Sequence, residues 1–532
     1  EIPPGDDADA SVAPQAAPAG AGGVSSSVVP ELITASGRVA IDSPSLTGEV
    51  NQLNIKIEQT ADAAPGSAPG AAAPTASPPP AGGFGGLAPH DGRQRRYDIS
   101  GIELHADVAM RNRRPAVQGL RVEGGVVFEE SPPTPGAPPP VRIVAEQVKV
   151  TAADTPHAQI EIAGGGGLNG SPQQLAEVAA HGAVLRAPLL VINRGASQAW
   201  INSPGEVQLM VDRDLAGNPL PQPTPLDVAW KESMKLDGRR ITFLGDVVVQ
   251  NSSGWLRTRR LVLQTTHPIS FDGAGGSQRP QLEQIECWEG AVAEFQQQDI
   301  SGVISHQHVE VQSLAVNQVT GAISGEGVGL IDSVHLAQGA GQLLALPQGG
   351  GPQPPELVQS SQELRHLHID FVRGVSGNLH AKSVKVHGDV RTVYGPVSDW
   401  TDRLSMTPDG DPGPDEVWIT CDTLGVTESP LPRLNNQPTR QVELLAEGKV
   451  TIEGQVPKQG AFTAYGQRAK YDQAKGNFIL EGDGSVPATI EQQPYPGAPR
   501  SPQSAQRMLF NHRTGHIKIE RLQQGQFNHI QP

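Results

Sequence analysis

The sequence predicts an all-β protein: antiparallel strands in stacked strand–turn units, interrupted by long Pro/Ala/Gly loops. Three observations carry this. Short runs rich in Val, Ile and Thr alternate apolar and polar residues, the period of a half-buried strand. Helical periodicity is scarce. One strand–turn pattern, opening on Gly-x-Val, recurs along the chain. The 532 residues include 61 Gly and 48 Pro, and aromatics make up only 4%. Such a chain buries a thin core spread along a sheet rather than one massed in a ball.

Taken in order, residues 1–30 are rich in Ala, Pro, Gly and Ser without periodicity, and a disordered tether is expected there. The opening reads as the start of a trimmed fragment, with a signal or membrane anchor expected upstream. A first β region is expected over 31–226, with a disordered insertion at 61–92. It contains "ASGRVAIDSPSLTGEVNQLNIKIEQ" and "VRIVAEQVKV". Within it, "SPQQLAEVAAHGAVLRA" predicts a helical turn capped by Ser171 and limited by Gly182 and Pro188. A second region, 227–345, holds "RRITFLGDVVVQNSSGWLRTRRLVLQ". A linker is expected at 346–357. A third region, 358–532, holds the fullest unit, "AEGKVTIEGQVPKQGAFTAYGQRAKYDQAKGNFILEGDG".

Glycine precedes valine by two positions at Gly37, Gly245, Gly448 and Gly484. Glycine at such points suits a bend where backbone passes close to backbone. A strand–turn unit cannot bury an apolar face alone, so stacked neighbours must share one sheet.

Composition and motifs narrow the function. The net charge of −16 disfavours nucleic acid. No apolar run reaches the length of a membrane-spanning helix. Cys287 and Cys421 are too few for a disulfide framework, and whether they pair is open. There is no Gly-x-Ser-x-Gly elbow, and "GGGGLNG" lacks the lysine of a phosphate loop. His306/His308 and His366/His368 are i, i+2 pairs that share a strand face. No cysteine or carboxylate set joins them at metal-ligand spacing, so solvated faces are expected and no metal or cofactor is assigned. No enzymatic role is expected.

The segments "RRITFLGDVVVQNSSGWLRTRRLVLQ" and "GKVTIEG…FTAYGQRAKYDQAKGNFILEGDG" resemble the OstA-like family. That family includes the periplasmic lipopolysaccharide-transport proteins LptA and LptC and the LptD amino-terminal domain. The resemblance implies an elongated β-jellyroll: a folded-over sheet, open along one edge, whose inner groove holds acyl chains. It implies a periplasmic or cell-envelope location. The partners it implies are amphipathic lipid such as lipopolysaccharide, and envelope transport proteins or further copies joined by strand-edge pairing. Burying lipid against such a groove is worth about 25 cal/mol per Å². The groove candidates are Phe243, Val247, Val249, Leu261, Val450, Ile452, Phe462, Ala464, Tyr471, Phe478 and Leu480; which strand face turns inward is left open. Two other readings remain. One is a scaffold using the same sheet for protein contacts without lipid. The other is a polysaccharide-active enzyme, which needs carboxylates converging on one cleft.

Overall fold

The computed structural model describes residues 31–42, 46–59, 97–111, 114–130, 141–166, 174–180, 182–213, 219–269, 271, 280–299, 302–336, 363–407, 410–430, 440–456, 460–472, 477–495, 497–511 and 516–521. The tether 1–30, the insertion 61–92 and the linker 346–357 lie outside them. The described residues contain no helix, and their strands join into a single 31-stranded sheet. The ladders are antiparallel except that Leu46–Gln59 runs parallel to Tyr97–Arg111.

The sheet bends over on itself, and the long strands show how. The first half of Arg240–Asn251 pairs with Ser233–Asp237, and its second half pairs with Pro219–Trp230. Between the halves the register slips, from Leu244 to Val247. The slip sits at Gly245 and Asp246, whose φ values are +85° and +47°. A left-handed pair inserted into a ladder turns the strand sharply. The same step occurs at Gly388–Asp389 and at Gly448–Lys449. One half of each long strand thus belongs to layer A and the other half to layer B.

Where long strands give way to short ones, each layer continues separately. Layer A continues through Gln159–Ala163, Leu189–Asn193, Gln198–Ile201 and Ser233–Asp237. Layer B continues through Ala176–Ala180, Ala183–Ala187, Gly205–Arg213 and Pro219–Trp230. The layers face each other. The Trp230 ring of layer B lies 5.2 Å from Phe243 of layer A, and Phe462 of layer B lies 4.9 Å from Phe510 of layer A.

Among the described residues, every passage of the chain between the layers falls on one side, which forms a spine; the connection 60–96, from Gln59 of layer A to Tyr97 of layer B, lies outside them. Among the described residues the backbone hydrogen bonds joining the layers lie there too. Lys231 N–H donates to Gly245 O at 2.7 Å, and Val372 N–H donates to Gly388 O at 2.9 Å. The turns within each layer, such as 194–197 and 252–253, lie on the opposite side, the mouth.

Glycine is required at the bends for two reasons. A Cβ on Gly245 would lie 2.7 Å from the Glu232 backbone nitrogen, and one on Gly448 would lie 2.3 Å from Asp422 Oδ2. Gly37 has φ +99° but open space around it. Gly484 departs from the expectation. It sits in the turn between Asn477–Glu481 and Ala488–Gln493, with nothing close to it.

The helical turn expected after Ser171 is absent from the described part of that segment. Ala176–Ala180 and Ala183–Ala187 instead form a hairpin turning near Gly182, whose φ is +84°. Both outer edges of the hairpin meet strands, Val141–Thr151 and Gly205–Arg213, and ladder pairing outweighs the helical preference of alanine. The boundary expected at 226/227 falls inside Pro219–Trp230. Across 337–362, Gly329–Leu336 pairs directly with Leu364–Phe371. The ladder runs through both positions.

Candidate functional site

The space between the layers is where the groove candidates meet. Phe243, Leu261, Tyr471, Phe478 and Leu480 stand on layer A, and Val247, Val249, Val450, Ile452, Phe462 and Ala464 on layer B. Each belongs to the inward-facing set of its strand, because period-two alternation across the slipped bend keeps both halves facing in. Nine of them are buried, while Val249 and Tyr471 are half-buried against the same core. The lining is filled by its own side chains. Phe243, Leu261, Ile452, Leu480, Ile490, Met508 and Phe510 are all less than 2% or about 2% exposed.

Several lining residues were missed from sequence. Val126 and Val390 follow Gly124-Gly125 and Gly388-Asp389, further copies of the same Gly-x-Val signal. Phe371 and Ile369 lie in Leu364–Phe371, between the long 337–362 connection and a two-residue turn at 372–373, and carried no such signal. Cys287 and Cys421 are both buried and free, with burial pushing each thiol up to about 12.

The lining carries one polar stretch, on layer B. Ser305 and Gln307 of Gly302–Val311 face His335 and Ser333 of Gly329–Leu336 across the ladder. Thr392 of Ser383–Val397 is nearby, two strands further on. All five are buried. Ser333 Oγ, Thr392 Oγ1 and both ring nitrogens of His335 have no hydrogen-bond partner. Burial pushes the His335 imidazole down to about 4, with the Arg365 charge adding to the effect. Its ring stacks on Tyr394 at 6.2 Å, and the Arg365 guanidinium lies 5.5 Å over that tyrosine.

The histidine pairs face outward from layer B, but they are not simply solvated. His308 sits between Glu294, 3.3 Å from Nδ1, and Glu310, 2.9 Å from Nε2. Asp332 Oδ1 lies 2.9 Å from His366 Nε2 and 2.8 Å from His368 Nδ1, and Asp370 lies 3.0 Å from His368 Nε2. His366 is fully buried. Its Nδ1 accepts the Leu404 N–H at 3.0 Å, so its proton sits on Nε2 and is donated to Asp332. Burial opposes ionisation of Asp332, yet the hydrogen bonds from His366 and His368 hold its carboxyl well below the usual range. The same hydrogen bond raises His368. Among the described residues, no group of three or more His, Cys, Asp or Glu side chains is arranged to hold a metal.

Along the spine, outward charges pair across the bends. Arg257, with Lys231, holds the Asp246 carboxyl down to about 2. Arg186 bridges Glu177 at 2.9 Å and Glu206 at 3.0 Å. These groups neutralise one another and leave no reactive acid–base pair among them. No family model matches the chain, and no curated protein matches it.

Proposed function

We propose that this is a non-enzymatic cell-envelope protein of the OstA-like jellyroll type. It binds amphipathic lipid, lipopolysaccharide-like in character, with acyl chains between the two layers and the polar headgroup outside. One observation carries the reading: among the described residues the chain passes between the layers only on the spine. The mouth therefore parts by separating side chains, without breaking a ladder. Parting exposes a lining of Val, Ile, Leu and Phe, which acyl chains cover again at about 25 cal/mol per Å². The periplasmic setting rests on the family resemblance of the 227–265 and 444–520 segments.

The scaffold reading is favoured by a different observation: the interior is already filled, with rings of opposite layers in contact. On that reading the sheet is a rigid spacer and its edges do the work.

A photo-crosslinking pair separates the two. Benzoylphenylalanine replaces Phe478, which faces inward, or Tyr465, which faces outward and is 40% exposed. Protein is purified from a bacterial envelope under mild detergent, irradiated and weighed intact. Lipid adducts at position 478, above those at 465, are expected. Equal or absent adducts, with no lipid retained in native mass spectrometry, would leave the scaffold reading in its place.

A further inference from the structure

We infer that the hairpin of Leu32–Asp42 and Leu46–Gln59 is an exchangeable clasp, able to dock on the Tyr97–Arg111 strand of a second copy of this chain. This goes beyond the lipid reading and does not depend on it.

The hairpin is complete in itself. Its two strands pair from Leu32↔Lys56 to Asp42↔Thr47, slipping register after Ser36 as the long strands of the body do. It therefore forms a two-layered rung with the same bend as the edge it covers. Arg38 and Glu49 bind each other within it through two contacts of 2.9 Å. Its contact with the body is the one parallel ladder in the sheet, running from Leu46↔Tyr97 to Gln59↔Met110.

That contact is specific. Leu46 and Val50 are buried with Tyr97, Ile99 and Leu104. Thr47 Oγ1 donates to Tyr97 O at 3.2 Å, and Asn54 Nδ2 donates to Glu103 Oε1 at 3.3 Å. A Cβ on Gly48 would lie 2.0 Å from the Ile99 carbonyl oxygen, so the two backbones meet where only glycine fits.

A parallel joint forces the chain back along a whole strand before it can start the next. Measured along the strand at 3.3 Å per residue that return is at most about 43 Å, and the bend between the layers shortens it. The connection, residues 60–96, holds thirty-seven residues, which extended reach about 120 Å. Covalent connection therefore does not decide whose edge the hairpin covers. Docking in trans preserves every hydrogen bond and every buried side chain of the joint, and reciprocal docking closes a two-fold dimer. In dilute solution the tethered edge wins, because a linked hairpin is present at an effective concentration on the order of millimolar. Exchange belongs to chains made or held side by side.

The test co-expresses two full-length chains with tags of different size, one carrying Asn54→Cys and the other His105→Cys. These positions pair in the parallel ladder. After oxidation, a disulfide heterodimer is expected at ten-fold or more over an out-of-register control, Asn54→Cys with Ser100→Cys. The native thiols are buried and held protonated, and do not compete. A single chain carrying both Asn54→Cys and His105→Cys reports on the docking register itself. Internal closure of that chain, with heterodimer at the control level, overturns exchange. Failure of internal closure in a folded chain overturns the joint on which exchange rests.

Discussion

His335 buries an imidazole within the polar stretch of the lining with neither nitrogen paired, and this sets a measurable acid sensitivity. Its ordinary value of 6.5 falls to about 4 on folding. As pH drops below 6.5 the unfolded chain takes up the proton first, so stability is lost between about 6.5 and 4 and no further below. The loss from this one group is on the order of 3 kcal/mol. His368 acts in the opposite sense: its raised value adds stability at low pH that fades as pH rises through it. Urea denaturation at pH 7 and pH 4.5 should show a steeper loss for the wild-type protein than for His335→Leu. At pH 7 the leucine variant should be at least as stable, since it removes two unsatisfied nitrogens. Parallel curves for the two proteins would show that His335 does not govern this slope. The bend glycines give a second test at this scale. Gly245→Ala should cost about 1–3 kcal/mol through steric conflict with Glu232 added to left-handed strain, and Gly37→Ala only about 1 kcal/mol, from strain alone. Thermal midpoints should fall in that order. Gly245 and Gly448 were legible in the sequence because a bend leaves a local mark. The His366–Asp332–His368 contacts were not, because Asp332 arrives from another strand and Leu404 from a distant turn.

At the level of single strands, alternation identified most of the β-structure, because a sheet buried on one face writes its period directly into the sequence. The eleven groove candidates all came from such runs, and all turned out to share one side. Sequence did not say which side, since period two is the same read from either face. Phe478 and Tyr465 now separate the faces by experiment. Phe478→Ala should cost about 3–5 kcal/mol, the usual range for a buried aromatic, whereas Tyr465→Ala on the outer face should stay within about 1 kcal/mol. Similar losses from both would mean that the inner and outer faces are assigned wrongly. The segment after Ser171 misled because its alanines favour helix locally. The choice is made by two neighbouring strand edges, Val141–Thr151 and Gly205–Arg213, that lie far off in sequence.

For the molecule as a whole, proline-rich loops suggested breaks, yet the sheet continues past them. The reason is where they leave it. The strand ends that flank 131–140 and 337–362 belong to one layer and lie on the mouth side, where a longer turn costs little and no ladder is interrupted. Domain boundaries drawn from composition are therefore unreliable in a folded sheet whose turns all face one way. The same continuity makes the two ends of the stack its exposed points. At the first rung, Leu32 is 62% exposed and Ile33 41%, although Ile33 lies opposite Ile55 on the inward side. The outer edge of this eleven-residue strand has no partner among the described residues. Such an edge invites pairing with another strand, and lysine is the usual means of blunting it. Leu32→Lys combined with Ile33→Lys should weaken concentration-dependent self-association by ten-fold or more in sedimentation velocity, with the thermal midpoint unchanged. The Asn54/His105 crosslink should survive the change, because it reads the joint on the other side of the hairpin. Association that persists undiminished would move the contact to the far end of the stack, at Ile517–Arg521.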